Sequence, residues 1–258
     1  MKTDSPPQAP APGSLTWRHA GDPRILNAAG YALLLQLAHP TVAAGVRDHS
    51  DYASDPWGRL LRSIDYLYLM AFGGQQAAER TGAALRARHT DIRGEHADGS
   101  SYDAFEPQAW SWVQATLADS AITGIEWFAR PLTAAERDGL WQETLAVGEI
   151  VGATGLPETW AGYLEYRDDM IATTLKTDIA IDEFLRTLRA QPFGGLAALP
   201  AIGLLPPPLR QKLGLRWTYR KQGQLEVFAR ASRAADPFMV GPLRNIGPSY
   251  LRWRGLPR

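Results

Sequence analysis

The sequence predicts an all-α protein folded as a single multi-helix domain, and three observations carry that reading. Apolar residues recur at helical spacing in one segment after another, each opened by a recognisable N-terminal signal. No strand-like alternation persists for more than four or five residues, and no internal repeat is present. The 258 residues, 45% of them apolar, suit one large core.

Taken in order, residues 1–20 are rich in proline and lack an apolar run, so they read as a disordered tail rather than a secretory signal. Residues 21–258 form the helical domain. Gly21, Asp22 and Pro23 open a long apolar segment from Ile25 to Val46. Arg24, Asn27, Gln36 and His39 interrupt it, and Pro40 kinks it, which makes it a buried central helix rather than a membrane span. Asp55 as N-cap and Pro56 at the first position start a second helix that ends at Gly73 and Gly74. A third is expected over Gln75 to Ile92, with an exposed loop after Gly94. Helical spacing resumes from Glu106 to Leu117, and Thr133 with Glu136 forms a capping box before Leu140 and Trp141. Further helices are expected from Pro157 to Leu175 and from Asp182 to Ala190. Gln191 to Pro208 reads as a Gly- and Pro-rich loop over the core. Helices follow over Pro207–Leu213 and Tyr219–Ala235, then a tail to Arg258.

Composition excludes several chemistries. Cysteine is absent, which removes disulfides, iron–sulfur clusters, thiolate-ligated heme and cysteine nucleophiles. Lys plus Arg and Asp plus Glu number 27 each, so the whole chain has no bias toward nucleic acid. Locally that balance fails: residues 210–258 hold eleven Lys or Arg against Glu226 and Asp236. Neither a Gly-rich phosphate loop nor a GxSxG elbow is found. These features describe a cytoplasmic protein without a transmembrane segment and leave its oligomeric state open.

The candidate site centres on His89. On a helix running to Ile92, Arg86, His89 and Arg93 stand at i, i+3 and i+7 and share one face. One imidazole between two guanidinium groups suits a planar iron porphyrin: histidine offers the iron an axial nitrogen, and arginines pair with propionates. Arg80 and Arg88 compete for the second role. Upstream, Arg59, Arg62, Ser63 and Tyr66 make a polar stripe on a mostly apolar helix, a pattern that lines a pocket when it does not face solvent. His39 before Pro40 is the second candidate for iron or for a distal gate. His49 with Asp48 and Asp51 lacks the spacing of a non-heme metal triad, and His19 and His96 receive no role.

ArgLeuLeuArgSer at 59–63, followed after a GlyGly break by ArgAlaArgHisThrAspIleArgGly at 86–94, resembles the heme-dependent oxygenase family of rubber oxygenase (latex-clearing protein) and the MpaB oxygenases. AlaHisPro at 38–40, TyrAspAlaPheGluPro at 102–107 and TrpValGlnAlaThrLeu at 112–117 extend the likeness. The resemblance implies a heme b pocket between central helices, with His89 as the proximal iron ligand and Arg86 and Arg93 flanking it. It implies that Arg59, Arg62 and Ser63 match the family's distal ArgxxLysThr run, with Arg for Lys and Ser for Thr. An arginine fork is not a lysine point charge. The family's distal glutamate has no counterpart, Ala or Gly standing near the equivalent spacing.

The function so implied is oxidation or cleavage of an apolar, unsaturated, isoprenoid- or lipid-like substrate by dioxygen, with an external electron donor if the enzyme is a monooxygenase. Two rival readings are a non-catalytic heme carrier or gas sensor, and a helical nucleic-acid or partner-binding protein that uses the basic C-terminal part. Aromatics at Trp217, Tyr219, Tyr250 and Trp253 interleave those cations, but no nucleic-acid motif accompanies them, so no nucleic-acid partner is assigned.

Overall fold

In a computed structural model of the chain, which describes residues 6–50, 55–96 and 98–257, the protein is 71% helical. The helices are α1 (Leu15–His19), α2 (Ala29–Leu37), α3 (Pro40–His49), α4 (Pro56–Phe72), α5 (Gly74–His89), α6 (Pro107–Gly124), α7 (Ala134–Val151), α8 (Trp160–Thr173), α9 (Ile179–Ala190), α10 (Gly194–Gly203), α11 (Pro207–Lys212), α12 (Tyr219–Ala234) and α13 (Gly247–Trp253). A two-stranded antiparallel ribbon, β1 (Arg93–Glu95) and β2 (Ser101–Asp103), pairs Gly94 with Tyr102.

The central helix is α2, entered through a 3-10 turn at Pro23–Ala28 that Asp22 caps by accepting from the Arg24 amide. Tyr31, Leu34, Leu35 and Leu37 are buried on it and pack with Trp112, Met170, Ile181, Leu185, Ala201 and Leu209. Glycine allows the tightest contact: a Cβ on Gly30 would stand 2.6 Å from that of Ala201, so α2 and α10 approach at backbone distance. The break at His39 and Pro40 falls where the sequence puts it, since His39 is extended as the N-cap of α3 and proline takes the first position.

Buried polar groups then bind α2, α6 and α8 together. Asp119 is fully buried, and its Oδ2 accepts the hydroxyls of Tyr31 at 2.8 Å and Tyr163 at 2.7 Å, while Arg167 Nη1 lies at 3.4 Å. Oδ1 accepts from Thr123 at 2.9 Å. A carboxylate this deep is tolerated because each oxygen is satisfied and a cation faces it.

Five expectations change. Leu15–His19, placed in the tail by sequence, is a helix because Ser14 caps it and Glu143 accepts from the Leu15 and Thr16 amides. Helix α5 ends at His89 rather than Ile92, with the chain turning into β1. The exposed loop after Gly94 is partly the β1–β2 ribbon, in which Tyr102 is buried and donates to Asp48. Helix α10 replaces the loop expected over Gln191–Pro208: burial of Ala198, Pro200, Ala201 and Ile202 against the core outweighs the poor helix propensity of Gly and Pro. Helix α13 occupies the C-terminal tail because Tyr250 and Arg254 both bond Asp65 on α4, and Leu251 is buried beside Phe72.

Candidate active site

Helices α4 and α5 form an antiparallel pair, and the N-terminal turn of α6 closes against the end of α5. His89 is the last residue of α5, half-buried, with its ring edge-on to Trp110 at a centroid distance of 5.2 Å. Phe105 also packs on Trp110, tilted, at a centroid distance of 4.9 Å. The Nδ1–H of His89 donates to the carbonyl of Leu85 at 2.8 Å, since a carbonyl can only accept. That bond fixes the neutral tautomer with its lone pair on Nε2, which has no hydrogen-bond partner among the described residues. Burial lowers the imidazole's proton affinity most; the Leu85 carbonyl raises it, and the charges of Arg59 and Arg88 lower it further. The ring is therefore held neutral, as a metal ligand must be.

The charge of Arg59 on α4 thus reaches the His89 ring. Its Nη1 also donates to the Ser50 hydroxyl beyond the end of α3. Arg62, one turn on, is exposed and donates to Asp55, the helix N-cap, at 3.1 Å. Ser63 donates back to the Arg59 carbonyl at 3.1 Å, the usual satisfaction of a serine inside a helix. Tyr66 continues the stripe inward toward Gln114 of α6, and burial pushes its hydroxyl well above the ordinary tyrosine range.

The two arginines expected to flank His89 do other things. Arg86 Nη1 donates to the Ile150 carbonyl at 2.8 Å, and its aliphatic stem lies beside Gly152. Trp110 Nε1 donates to Val151 at 3.1 Å. Both side chains thereby satisfy carbonyls that the end of α7 leaves without intrahelical partners, where a cation is also favoured by the helix dipole. Arg93 falls on β1, two-thirds exposed, with its nearest carboxylate at Asp91, 3.8 Å away. The i, i+3, i+7 face presumes a helix through Ile92, and the chain leaves the helix at His89. The cations that act on the ring are Arg59 and Arg88, the latter named from sequence only as a competitor.

His39 is 2% exposed, and both ring nitrogens are buried without a hydrogen-bond partner. Glu106, Gln108 and His96 are the polar groups near it, so it is not part of the Arg59–His89 cluster. The first turn of α6 lies between the two histidines, with Glu106 toward His39 and Trp110 on His89. His49 Nε2 donates to the Arg93 carbonyl at 3.3 Å, Asp48 accepts from Tyr102, and Asp51 lies outside the described residues. No group of three or more metal-binding side chains occurs among the described residues.

Sequence reasoning missed Trp110 as the wall against His89 and the Leu85 carbonyl as the group that sets its tautomer. A carbonyl one turn back on the same helix leaves no mark in residue identity. The aromatic carried a signal, the TrpSerTrp pair at 110–112, but helical phase alone does not say which of the two faces α5.

Fit to a histidine-held heme is met at the ligand: one half-buried neutral imidazole with a free Nε2, an adjacent cation from α4 and an aromatic wall. It is not met by Arg86 and Arg93 in the propionate role. Among the described residues no helix is long and apolar enough to cross a membrane.

Comparison with known proteins gives the family of the chain. Residues 17–234 match the family described as ER-bound oxygenase mpaB/B'/Rubber oxygenase, catalytic domain. An uncharacterized protein of Mycobacterium tuberculosis is 25% identical over 219 residues, covering 79% of this chain and 86% of its own. One of Mycobacterium bovis shows the same identity and coverage. No solved structure matches. The span matched runs from α1 to α12 and contains Arg59, Arg62, Ser63, Arg86, His89 and Arg93, and so the chain belongs to the MpaB and rubber oxygenase catalytic-domain family.

Proposed function

We propose that this oxygenase-family chain is a b-type heme-dependent oxygenase that uses dioxygen to oxidise or cleave an apolar, unsaturated substrate of isoprenoid or lipid character. The observation that carries the reading is His89, whose Nδ1–H is committed to Leu85, leaving the lone pair on Nε2, while the charge of Arg59 acts on the ring. Nε2 of His89 would hold the iron, and heme bound there supplies the one- and two-electron chemistry that makes dioxygen reactive.

Every other part falls to the chain's own residues. The Leu85 carbonyl keeps the imidazole neutral, orients it and strengthens it as a donor. The Arg59 guanidinium supplies fixed positive charge where negative charge develops as oxygen is reduced, and Arg62 one turn away would join it when its exposed pair with Asp55 opens. Ser63 can offer a hydroxyl proton at Oγ once its bond to the Arg59 carbonyl is exchanged. Trp110 and Phe105 exclude water from one side of the ring and give an apolar surface suited to a hydrocarbon substrate. Among the described residues no carboxylate acts on the His89 ring, and Ser63 is the hydroxyl nearest in sequence to Arg59 that can pass a proton at this site.

The test is an absorption spectrum of the protein produced with added hemin. A Soret band retained after desalting and lost in His89→Ala is the expected result; a band of equal strength in both overturns the ligand assignment. Oxygen uptake with isoprenoid or unsaturated fatty substrates then separates an enzyme from a carrier or gas sensor. Consumption that depends on both substrate and His89 is expected of the enzyme.

A further inference from the structure

Away from His89, helices α10 and α12 leave an open apolar groove between them. Gly195 and Gly223 line it from either side, and a Cβ on either glycine would meet nothing within 4 Å. At one end Phe193, the residue before α10, is 85% exposed and holds a φ of 60°, left-handed backbone that bulky side chains rarely adopt. Leu196 is 49% and Val227 60% exposed. Large apolar side chains project here instead of turning inward, and the strained Phe193 stays outside with them.

Charge around the groove has one sign. The charged residues lining it are Arg220 and Arg230, about 15 Å apart along α12. Arg189, exposed at the end of α9, borders Phe193, since its Cα lies 2.9 Å from where a Cβ on Gly194 would stand. From Arg210 to Arg233 seven lysines and arginines accompany a single acid, Glu226, which accepts from Gln222. None of those seven forms an ion pair among the described residues, while Arg62, Arg130, Arg137 and Arg254 elsewhere all do.

The geometry points to a membrane-docking surface: the α10–α12 face, with Phe193, Leu196 and Val227 entering the headgroup region and Arg189, Arg220 and Arg230 engaging anionic lipid. Two features select an anionic bilayer over an acidic helix from a partner protein. The apolar groups protrude beyond the groove rather than forming recessed pockets for anchors, and the cations are spread along the face rather than paired with a fixed register. An interfacial surface also needs two weak signals acting together, apolar insertion and basic charge, and this face has both. A second copy of the same face is disfavoured because its arginines would repel.

The experiment is vesicle flotation with the full-length protein, using phosphatidylcholine vesicles with and without about a third phosphatidylglycerol. Binding to the anionic vesicles alone is expected, lost at about 0.5 M salt because exposed charges are screened. Arg220→Gln with Arg230→Gln should lower partitioning by about twenty-five-fold, at roughly fivefold per arginine near the surface. Phe193→Gly should lower it about tenfold while leaving the thermal midpoint unchanged or higher, since glycine accepts the positive φ and less apolar surface inserts. Should Phe193→Gly misfold, the arginine pair, both exposed, carries the test alone. No flotation of the wild type, equal flotation on neutral vesicles, or variants that float like the wild type would overturn the assignment. So would a dimer, or a complex with duplex DNA, that forms in place of vesicle binding and is lost in the same variants.

Discussion

His89 donates its Nδ1–H to the carbonyl of Leu85, four residues back on the same helix, at 2.8 Å. An imidazole tied in this way has its tautomer set by its own helix rather than by a neighbouring element, so the Nε2 lone pair survives any motion that keeps α5 intact. The ligand is thus preorganised by local structure, while its electrostatic setting comes from α4 through Arg59.

Arg86 provides a separation between architecture and cofactor. Because its guanidinium satisfies the Ile150 carbonyl at the end of α7, Arg86→Met should cost about 1–2 kcal/mol in chemical denaturation, the penalty of an unsatisfied buried acceptor. The Soret band of the hemin-loaded protein should persist in that variant and in Arg93→Met. A band lost in Arg86→Met at full stability would return Arg86 to the propionate role.

Trp110 binds the same helix end through Val151 and faces His89. Trp110→Phe keeps an aromatic face but removes the donor, and a loss of about 1 kcal/mol in urea unfolding is expected. Trp110→Ala removes the wall as well and should cost about 3 kcal/mol.

Asp119 is the most consequential buried charge. Asp119→Ala leaves two tyrosine hydroxyls and Arg167 without their shared acceptor and should destabilise the protein by about 3–5 kcal/mol, measured by urea unfolding. Asp119→Asn, which keeps an acceptor oxygen, should lose less.

Acid lability follows from buried His39 and half-buried His19, with half-buried His89 shifted in the same direction. Burial lowers the proton affinity of His39 and His19 below the ordinary value near 6.5, and Arg130 lowers His19 further. In the unfolded chain these groups bind protons at higher pH than in the fold, so their full stability is present above about 6.5 and falls as pH drops below it. His39→Leu removes a buried ring with two unpaired nitrogens; it should leave the thermal midpoint at pH 7.5 unchanged or higher and flatten the decline between about pH 6.5 and 5. A decline as steep as that of the wild type would show that His39 does not titrate on unfolding.

By itself the sequence determined the helical class, the central α2, the break at His39 and Pro40, and the Asp55 and Thr133 caps. These are properties of spacing and of local backbone chemistry, which residue identity carries directly. Tertiary structure decided the rest. Helix α5 stops at His89 because the chain there turns into the Gly94–Tyr102 ribbon, and a partner 64 residues along the chain, Ile150, claims Arg86. Helix α10 exists because burial against α2 outweighs the helix-breaking character of its glycines and proline. Competition for an unsatisfied carbonyl, or for a place in the core, is settled between elements distant in sequence, and so no local pattern records its outcome.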